Sequence, residues 1–213
     1  MKYARTFHKL FPMIAVINYG MGNLRSVQKG LERVGLDARI TDSPSELADS
    51  AGIVLPGVGA FAAAMENLRG SGLADALTRE IEKGKPYLGI CLGLQLLFSW
   101  SDEGKGAEGL GLIPGRVELF APGVKVPHMG WNKVKIAKRA PIFDGIEDES
   151  FFYFVHSYIV KPESGEAVAA RTEYGENFVC AVTYDNVAAV QFHPEKSQKT
   201  GLKMLENFGR MCR

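Results

Sequence analysis

The chain is expected to fold as an α/β domain, with an open, mixed, mostly parallel central sheet and helices on both faces. Three observations predict this. In the first half, apolar runs of strand length alternate with segments whose apolar residues recur at the spacing of one helix face. In the second half, short strand-like runs are separated by turn signals, so the sheet continues with mixed pairing. A last helical segment is available to cover one face.

The elements follow in order. Residues 13–18 read as a buried strand and 19–23 as a tight loop. Leu24, Val27, Leu31 and Val34 lie on one helix face, and Gly35 suits the C-terminal cap. Residues 38–41 form a second strand. Ser43, Pro44 and Glu46 are placed as cap, first helical residue and capping-box acid of a second helix. Residues 52–55 are a third strand, followed by the glycine loop Pro56-Gly57-Val58-Gly59-Ala60-Phe61, whose peptide groups can reorient at little cost. Residues 61–68 and 73–81 are helical. Lys85-Pro86 leads into a strand ending at Cys91, and the Leu-rich run to Phe98 reads as a helix. Residues 101–111 are a loop. Strands are expected at 116–120, 132–136, 151–155, 168–171, 179–183 and 187–192, and a closing helix at 197–211. Parallel pairing with right-handed crossovers sets the loops holding Gly57 and Cys91 along the carboxyl edge of the sheet, where open α/β sheets carry their sites.

At 213 residues, 46% hydrophobic and 23% charged, the chain has the balance of one soluble domain, and no repeat or linker divides it. The formal net charge of +1 gives no electrostatic reason to expect nucleic acid or a membrane as partner. No apolar run reaches the length of a membrane span. Three cysteines without a CxxC pair favour a reducing compartment over disulfides or zinc, so cytoplasm is expected. Residues 1–12 carry Lys2, Arg5 and Lys9 with no acid and no continuous apolar stretch. They are read as an N-terminal extension ahead of a domain spanning 13–213.

The chemistry gathers around Cys91. It sits at a strand-to-helix corner between Gly89 and Gly93, a place where a thiol feels the positive end of a helix and the Leu92 N–H is left unpaired. A buried core thiol is an equally open reading of that stretch alone. Late in the chain, His193-Pro194-Glu195 follows a strand directly. In extended backbone, His193 and Glu195 point to the same side, and a carboxylate beside an imidazole fixes its tautomer and stabilises its cation. An elbow cysteine, a glycine loop able to aim N–H groups and an acid-oriented histidine are the parts of acyl transfer through a thioester. His128 and His156 read as structural; a Cys91–His156–His193 metal set has no local ligand pair to support it, and no metal and no cofactor are expected. Gly20-x-Gly22 lacks the third glycine of a dinucleotide fingerprint, since Arg25 stands there.

Gly89-Ile90-Cys91-Leu92-Gly93-Leu94-Gln95, Pro56-Gly57-Val58-Gly59 and His193-Pro194-Glu195 together resemble the class I (triad) glutamine amidotransferases, a family of flavodoxin-like fold. Asn18-Tyr19-Gly20-Met21-Gly22-Asn23, Pro127-His128-Met129-Gly130-Trp131-Asn132, Tyr153-Phe154-Val155-His156-Ser157-Tyr158 and Lys196-Ser197 extend the resemblance to the glutaminase subunits of imidazole glycerol phosphate synthases. The resemblance implies hydrolysis of L-glutamine to glutamate and ammonia. Cys91, His193 and Glu195 would be the catalytic triad, and Leu92 N–H with a peptide N–H of Gly57-Val58 would form the oxyanion hole. Gln95 and Glu103 would hold the α-amino-acid end of glutamine, with the backbone around His156, Ser157 and Tyr158 at its carboxylate. It also implies a heterodimer with a (β/α)8-barrel cyclase subunit that uses the ammonia to make imidazole glycerol phosphate and aminoimidazole carboxamide ribotide in histidine biosynthesis. Asn23, Met129, Trp131 and Lys196 are the candidate docking residues. Another class I glutaminase, serving anthranilate, GMP or pyridoxal phosphate synthesis, would share the triad without the Pro-His-Met-Gly-Trp-Asn block. A non-catalytic flavodoxin-like binding module would need none of these parts to converge.

Overall fold

The computed structural model describes residues 13–213; the expected extension at 1–12 lies outside the described residues. Among the described residues, nineteen helices and strands follow in chain order, short 3₁₀ turns aside. The first half holds β1 (Ile14–Ile17), α1 (Leu24–Arg33), β2 (Ala38–Thr41), α2 (Pro44–Asp49), β3 (Gly52–Gly57), α3 (Phe61–Gly70), α4 (Leu73–Glu82), β4 (Tyr87–Cys91) and α5 (Leu92–Gln95). The second holds β5 (Phe98–Ser101), β6 (Ala107–Glu108), β7 (Ile113–Leu119), β8 (His128–Ile136), β9 (Ser150–His156), β10 (Tyr158–Pro162), β11 (Val168–Tyr174), β12 (Glu176–Tyr184), β13 (Val187–Val190) and α6 (Gln198–Met211).

The strands form one mixed sheet in the order β2-β1-β3-β4-β13-β12-β10-β7-β5-β6, with β11, β8 and β9 branching from β12. The five strands from β2 to β13 pair in parallel. The side chains of β1, β3, β4 and β13 are buried on both faces, and the alternation decides which core each enters. Ile14 and Val16 of β1 join Val27 and Leu31 of α1 and Met204, Leu205 and Phe208 of α6. Ala15 and Ile17 join Leu47 of α2, Phe61, Met65 and Leu68 of α3, and Leu77 and Ile81 of α4. Helices therefore cover both faces.

Register sets the site. In the middle of the sheet, Gly57 of β3 stands opposite Cys91 of β4, and Val190 of β13 stands opposite Ile90. The glycine loop and the residues just after β13 thus flank Cys91 on either side, at the carboxyl edge.

Three local expectations are corrected. The helix after Cys91 is a single turn, not a run to Phe98. Phe98 instead opens β5 and pairs with Ile113 of β7, while Leu96 and Leu97 are fully buried; strand pairing and burial override the helix propensity of the Leu-rich stretch. The capping box of α2 does not form: the Ser43 hydroxyl meets that of Ser45 at 2.8 Å, and no side chain caps the helix. Pro56 and Gly57 are strand residues rather than loop, because β3 stays paired with β4 as far as Cys91. Strands β5, β6 and β10 were not expected. β10 follows β9 after Ser157 alone, with no Gly or Pro to signal the change of partner from β8 to β7 and β12.

Candidate active site

Cys91 is the last residue of β4 and has φ 56° and ψ −109°, a region a side chain enters only at a cost of about 1–3 kcal/mol. The strain therefore sits on the cysteine itself. The flanking glycines serve close approach instead: a Cβ on Gly93 would lie 1.9 Å from the Leu55 carbonyl oxygen, and one on Gly89 2.6 Å from the Gly93 oxygen. Gly57 is required for the same reason, since a Cβ there would meet the Tyr19 hydroxyl at 2.4 Å and Leu92 Cβ at 2.8 Å. Beyond Gly57 the chain leaves the sheet, with Val58 exposed and Gly59 at φ 97°. Leu92 N–H, at the first residue of α5, has no intrahelical acceptor. With only one turn of helix behind it, the helix dipole at Cys91 is weaker than the sequence suggested.

His193 and Glu195 follow β13 in a 3₁₀ turn that is wedged between α1 and α6. A Cβ on Gly201 would lie 1.9 Å from the Pro194 oxygen, and one on Gly30 3.4 Å from Glu195 Cβ. The His193 N–H donates to the Tyr153 carbonyl, and the Ser197 hydroxyl donates to the His193 carbonyl. The side chains of His193 and Glu195 are 3% and 1% exposed, and Nδ1 lies 2.8 Å from Glu195 Oε1. Burial alone would push the imidazole down. The neighbouring Cys91 sulfur and the hydrogen bond and charge of Glu195 outweigh that and raise it to about 9. Nε2, the nitrogen left over, is buried and makes no hydrogen bond of standard geometry, so its coupling to the sulfur is that of a near neighbour rather than a formed bond. This arrangement can take a proton from the thiol at Nε2 and hold it as an imidazolium against the buried carboxylate.

A hydrogen-bonded chain runs beside the sulfur. Gln191 Nε2 lies 3.6 Å from Cys91 Sγ, and Gln191 Oε1 accepts from Gln95 Nε2 at 3.0 Å. Gln95 Nε2 also donates to the Tyr158 carbonyl at 3.1 Å. That carbonyl takes a second bond from His156 Nδ1 at 2.9 Å, which leaves His156 Nε2 to accept from His128 Nδ1 at 3.0 Å. Both of these histidines are buried among Phe120, Phe154 and Phe178. Burial holds His128 down at about 4 and His156 at about 3. Burial keeps both rings neutral, and they bond to each other and to the Tyr158 carbonyl.

The site residues expected from sequence fall into three groups. Cys91, His193, Leu92, Gly57, Gln95 and Tyr158 converge at the carboxyl edge, with the Val155 carbonyl 3.8 Å from the sulfur. Glu103 lies at the rim, where one carboxylate oxygen accepts the Phe61 N–H at 2.7 Å, capping α3, and its charge faces Tyr158. The Ser157 carbonyl accepts the Phe120 N–H. Among the docking candidates, Met129 and Trp131 are 63% and 45% exposed on the outer face of the β8–β9 pair, and Lys196 lies 5.7 Å over Tyr153 on the same face. Asn23 is exposed at the start of α1, just past β1. Sequence reasoning missed Gln191. The signal was present, as a lone amide in the apolar run Val187-Ala188-Ala189-Val190-Gln191-Phe192.

The opposite shifts give a testable pH profile. His156 binds its proton less readily folded than unfolded, so its contribution to stability is present above about 6.5 and is lost as pH falls, at about 1.4 kcal/mol per unit. His193 binds its proton more readily when folded, so its contribution is present below about 6.5 and is lost as pH rises to about 9. Urea unfolding at pH 5, 6.5 and 8.5 is expected to show greatest stability near 6.5; a monotonic rise from 5 to 8.5 contradicts the assignment.

The family model for "Glutamine amidotransferase class-I" matches residues 15–212. A relative from Syntrophotalea carbinolica, "Imidazole glycerol phosphate synthase subunit HisH", is 54% identical over 93% of this chain and 100% of its own length. The protein of the same name from Moorella thermoacetica is 52% identical over 94% of this chain and 95% of its own. Among solved structures, the fold matches a glutamine amidotransferase with TM-score 0.74 at 20% identity, covering 93% of this chain and 98% of that one. It matches PurLQS from Thermotoga maritima with TM-score 0.73 at 21% identity and the same coverage. The elbow cysteine and its buried histidine both fall inside the matched span, and the chain belongs to the class I glutamine amidotransferase family.

Proposed function

We propose that the chain is the glutaminase subunit of an imidazole glycerol phosphate synthase, hydrolysing L-glutamine and delivering ammonia to a cyclase subunit in histidine biosynthesis. The observation that carries this is the meeting of Cys91 with the His193–Glu195 pair at the sheet edge, in a chain 54% identical to relatives of that name. Domain 13–213 would be the amidotransferase domain, with 1–12 as an extension ahead of it. No helix among the described residues is long and apolar enough to cross a membrane, and the cytoplasm is the proposed location.

In the reaction, Cys91 gives its proton to His193 and the thiolate attacks the side-chain amide carbon of glutamine. The oxyanion is held by Leu92 N–H and by the Val58 N–H once its peptide is turned inward. His193 protonates the departing ammonia, leaving a thioester. Glu195 then steadies the same imidazole as it draws a proton from water, which releases glutamate. Gln95, whose NH₂ is occupied by Tyr158 and Gln191, offers its carbonyl oxygen to the α-ammonium, with Glu103 beside it. Losing one oxyanion donor typically costs about 3–4 kcal/mol. Val58→Pro, which lacks the N–H, is expected to lower partner-stimulated turnover about 10²–10³-fold in an ammonia-release assay. Unchanged turnover removes the loop from the mechanism.

Ammonia released into neutral water is protonated and ceases to be a nucleophile, so a synthetic glutaminase gains from a docked consumer. The proposed consumer is the (β/α)8-barrel cyclase, seated on the exposed face that carries Met129, Trp131 and Lys196, with Asn23 at its margin. Two measurements test the proposal. Ammonia release from glutamine is expected to rise when a cyclase subunit and its ligand are added. A glutamine-like electrophile is expected to label Cys91 alone, because burial suppresses the other two thiols, Cys212 being held at about 12. Labelling of Cys180 or Cys212 in preference overturns the reading.

A further inference from the structure

We propose that Gln191 is a positioning residue for the nucleophile: its amide NH₂ is a fixed hydrogen-bond donor to the Cys91 sulfur, locked in that orientation by Gln95 and the Tyr158 carbonyl. This rests on the glutaminase reading and adds to it a residue outside the triad and the oxyanion hole.

The orientation is dictated rather than assumed. An amide side chain presents an oxygen and an NH₂ that are nearly alike in shape, so the neighbours must decide which is which. The Tyr158 carbonyl can only accept, so the end of Gln95 lying 3.1 Å from it is the NH₂. The same NH₂ lies 3.0 Å from Gln191 and needs an acceptor there, which makes that atom Oε1. Gln191 then has only its own NH₂ to turn towards Sγ, at 3.6 Å. Flipping either amide would set NH₂ against NH₂ or oxygen against carbonyl. Both side chains are buried, Gln191 fully and Gln95 to within 5%, so water cannot replace a lost partner. The backbone supplies the placement: Val190, the last residue of β13, is in register with Ile90, so the residue that follows it stands beside Cys91, 100 residues away in sequence.

A donor fixed on the sulfur favours thiolate over thiol and holds it still for attack. It also explains a polar side chain in the middle of the sheet, where a hydrophobic residue would pack without needing partners. The triad does not supply this contact, because His193 approaches as a proton acceptor and then leaves the sulfur to serve the ammonia.

The test is the pH dependence of Cys91 alkylation by iodoacetamide in the full chain, with kcat and KM for glutamine measured in the complex with the cyclase subunit. Gln191→Met keeps the length and removes the donor. Gln191→Glu keeps the shape and sets a carboxylate against the sulfur. The alkylation midpoint is expected to move to higher pH by roughly one unit in Gln191→Met and further in Gln191→Glu. kcat is expected to fall on the order of tenfold or more, with KM changed less than threefold. A space-filling role predicts the reverse order, with Gln191→Glu the milder, and that order overturns the proposal. So does an unmoved midpoint in either folded variant. Should Gln191→Met not fold, Gln191→Leu, which also removes the donor without adding a charge, decides by whether its midpoint moves. Failure of the wild-type chain to release ammonia, with or without the cyclase, would sink the glutaminase reading; the midpoint shifts would still decide whether Gln191 governs the thiol.

Discussion

Glu195→Gln is expected to lower kcat for glutamine hydrolysis about 10²–10⁴-fold while leaving KM within about threefold. The carboxylate touches no substrate in the proposed mechanism; it acts through the imidazole. Its side chain is 1% exposed, Oε1 meets His193 Nδ1 and Oε2 has no hydrogen-bond partner, so His193 is the group that answers its charge. A buried, singly paired carboxylate is tolerable when an imidazolium faces it. Cys91 and Glu195 together hold the ring near 9 against burial, and a neutral amide removes the second of these, both as charge and as strong acceptor. The ring should then titrate lower, and its cation, needed to protonate the leaving ammonia, should become scarcer. Steady-state kinetics in the presence of the cyclase subunit check this. A kcat within threefold of the parent would mean that the pair is only structural.

Gly93→Ala is the second large effect. The added methyl would sit 1.9 Å from the Leu55 carbonyl oxygen, a backbone atom in the middle of β3 that no rotamer change can move. Either β3 shifts or the turn after Cys91 unwinds, and both displace the sulfur from His193. Overpacking of this kind is expected to cost about 3 kcal/mol or more, lowering the thermal midpoint by about 6–12 °C. Glutaminase activity should be lost beyond what the stability change explains, because the elbow that aims Cys91 is itself deformed. Thermal unfolding and ammonia release measured on the same preparation check both parts. An alanine variant with parental activity would show that the close approach of α5 to β3 is not what shapes the site.

Much of this was legible from residues alone. Alternation of apolar strands with amphipathic helices foretold the parallel half, and the bounds of β2 fell where expected, because local pattern and final environment agree there. The residues of the elbow, the glycine loop and the His-Pro-Glu turn could be named because each needs an unusual local backbone or a special neighbour, and such needs leave marks within a few positions. What misled was also local. The Leu-rich run after Cys91 has the propensity of a helix, yet one turn forms before the chain is drawn back into the sheet beside β7. At the elbow, the positive φ belongs to Cys91 itself, while Gly89 and Gly93 make room for carbonyl groups.

Sequence by itself determined the α/β class, the family and the short list of reactive groups, since these depend on residue type and on spacing within one or two turns. Tertiary structure alone decided that Gln191 lies against the sulfur, that His128 and His156 are buried, neutral and bonded to each other, and that Gln95 has only its oxygen left to offer. The physical reason is the same in each case. Hydrogen-bond partners and burial are set by strand register and by packing between segments far apart in the chain, and no local pattern encodes which donor will meet which acceptor once those segments are brought together.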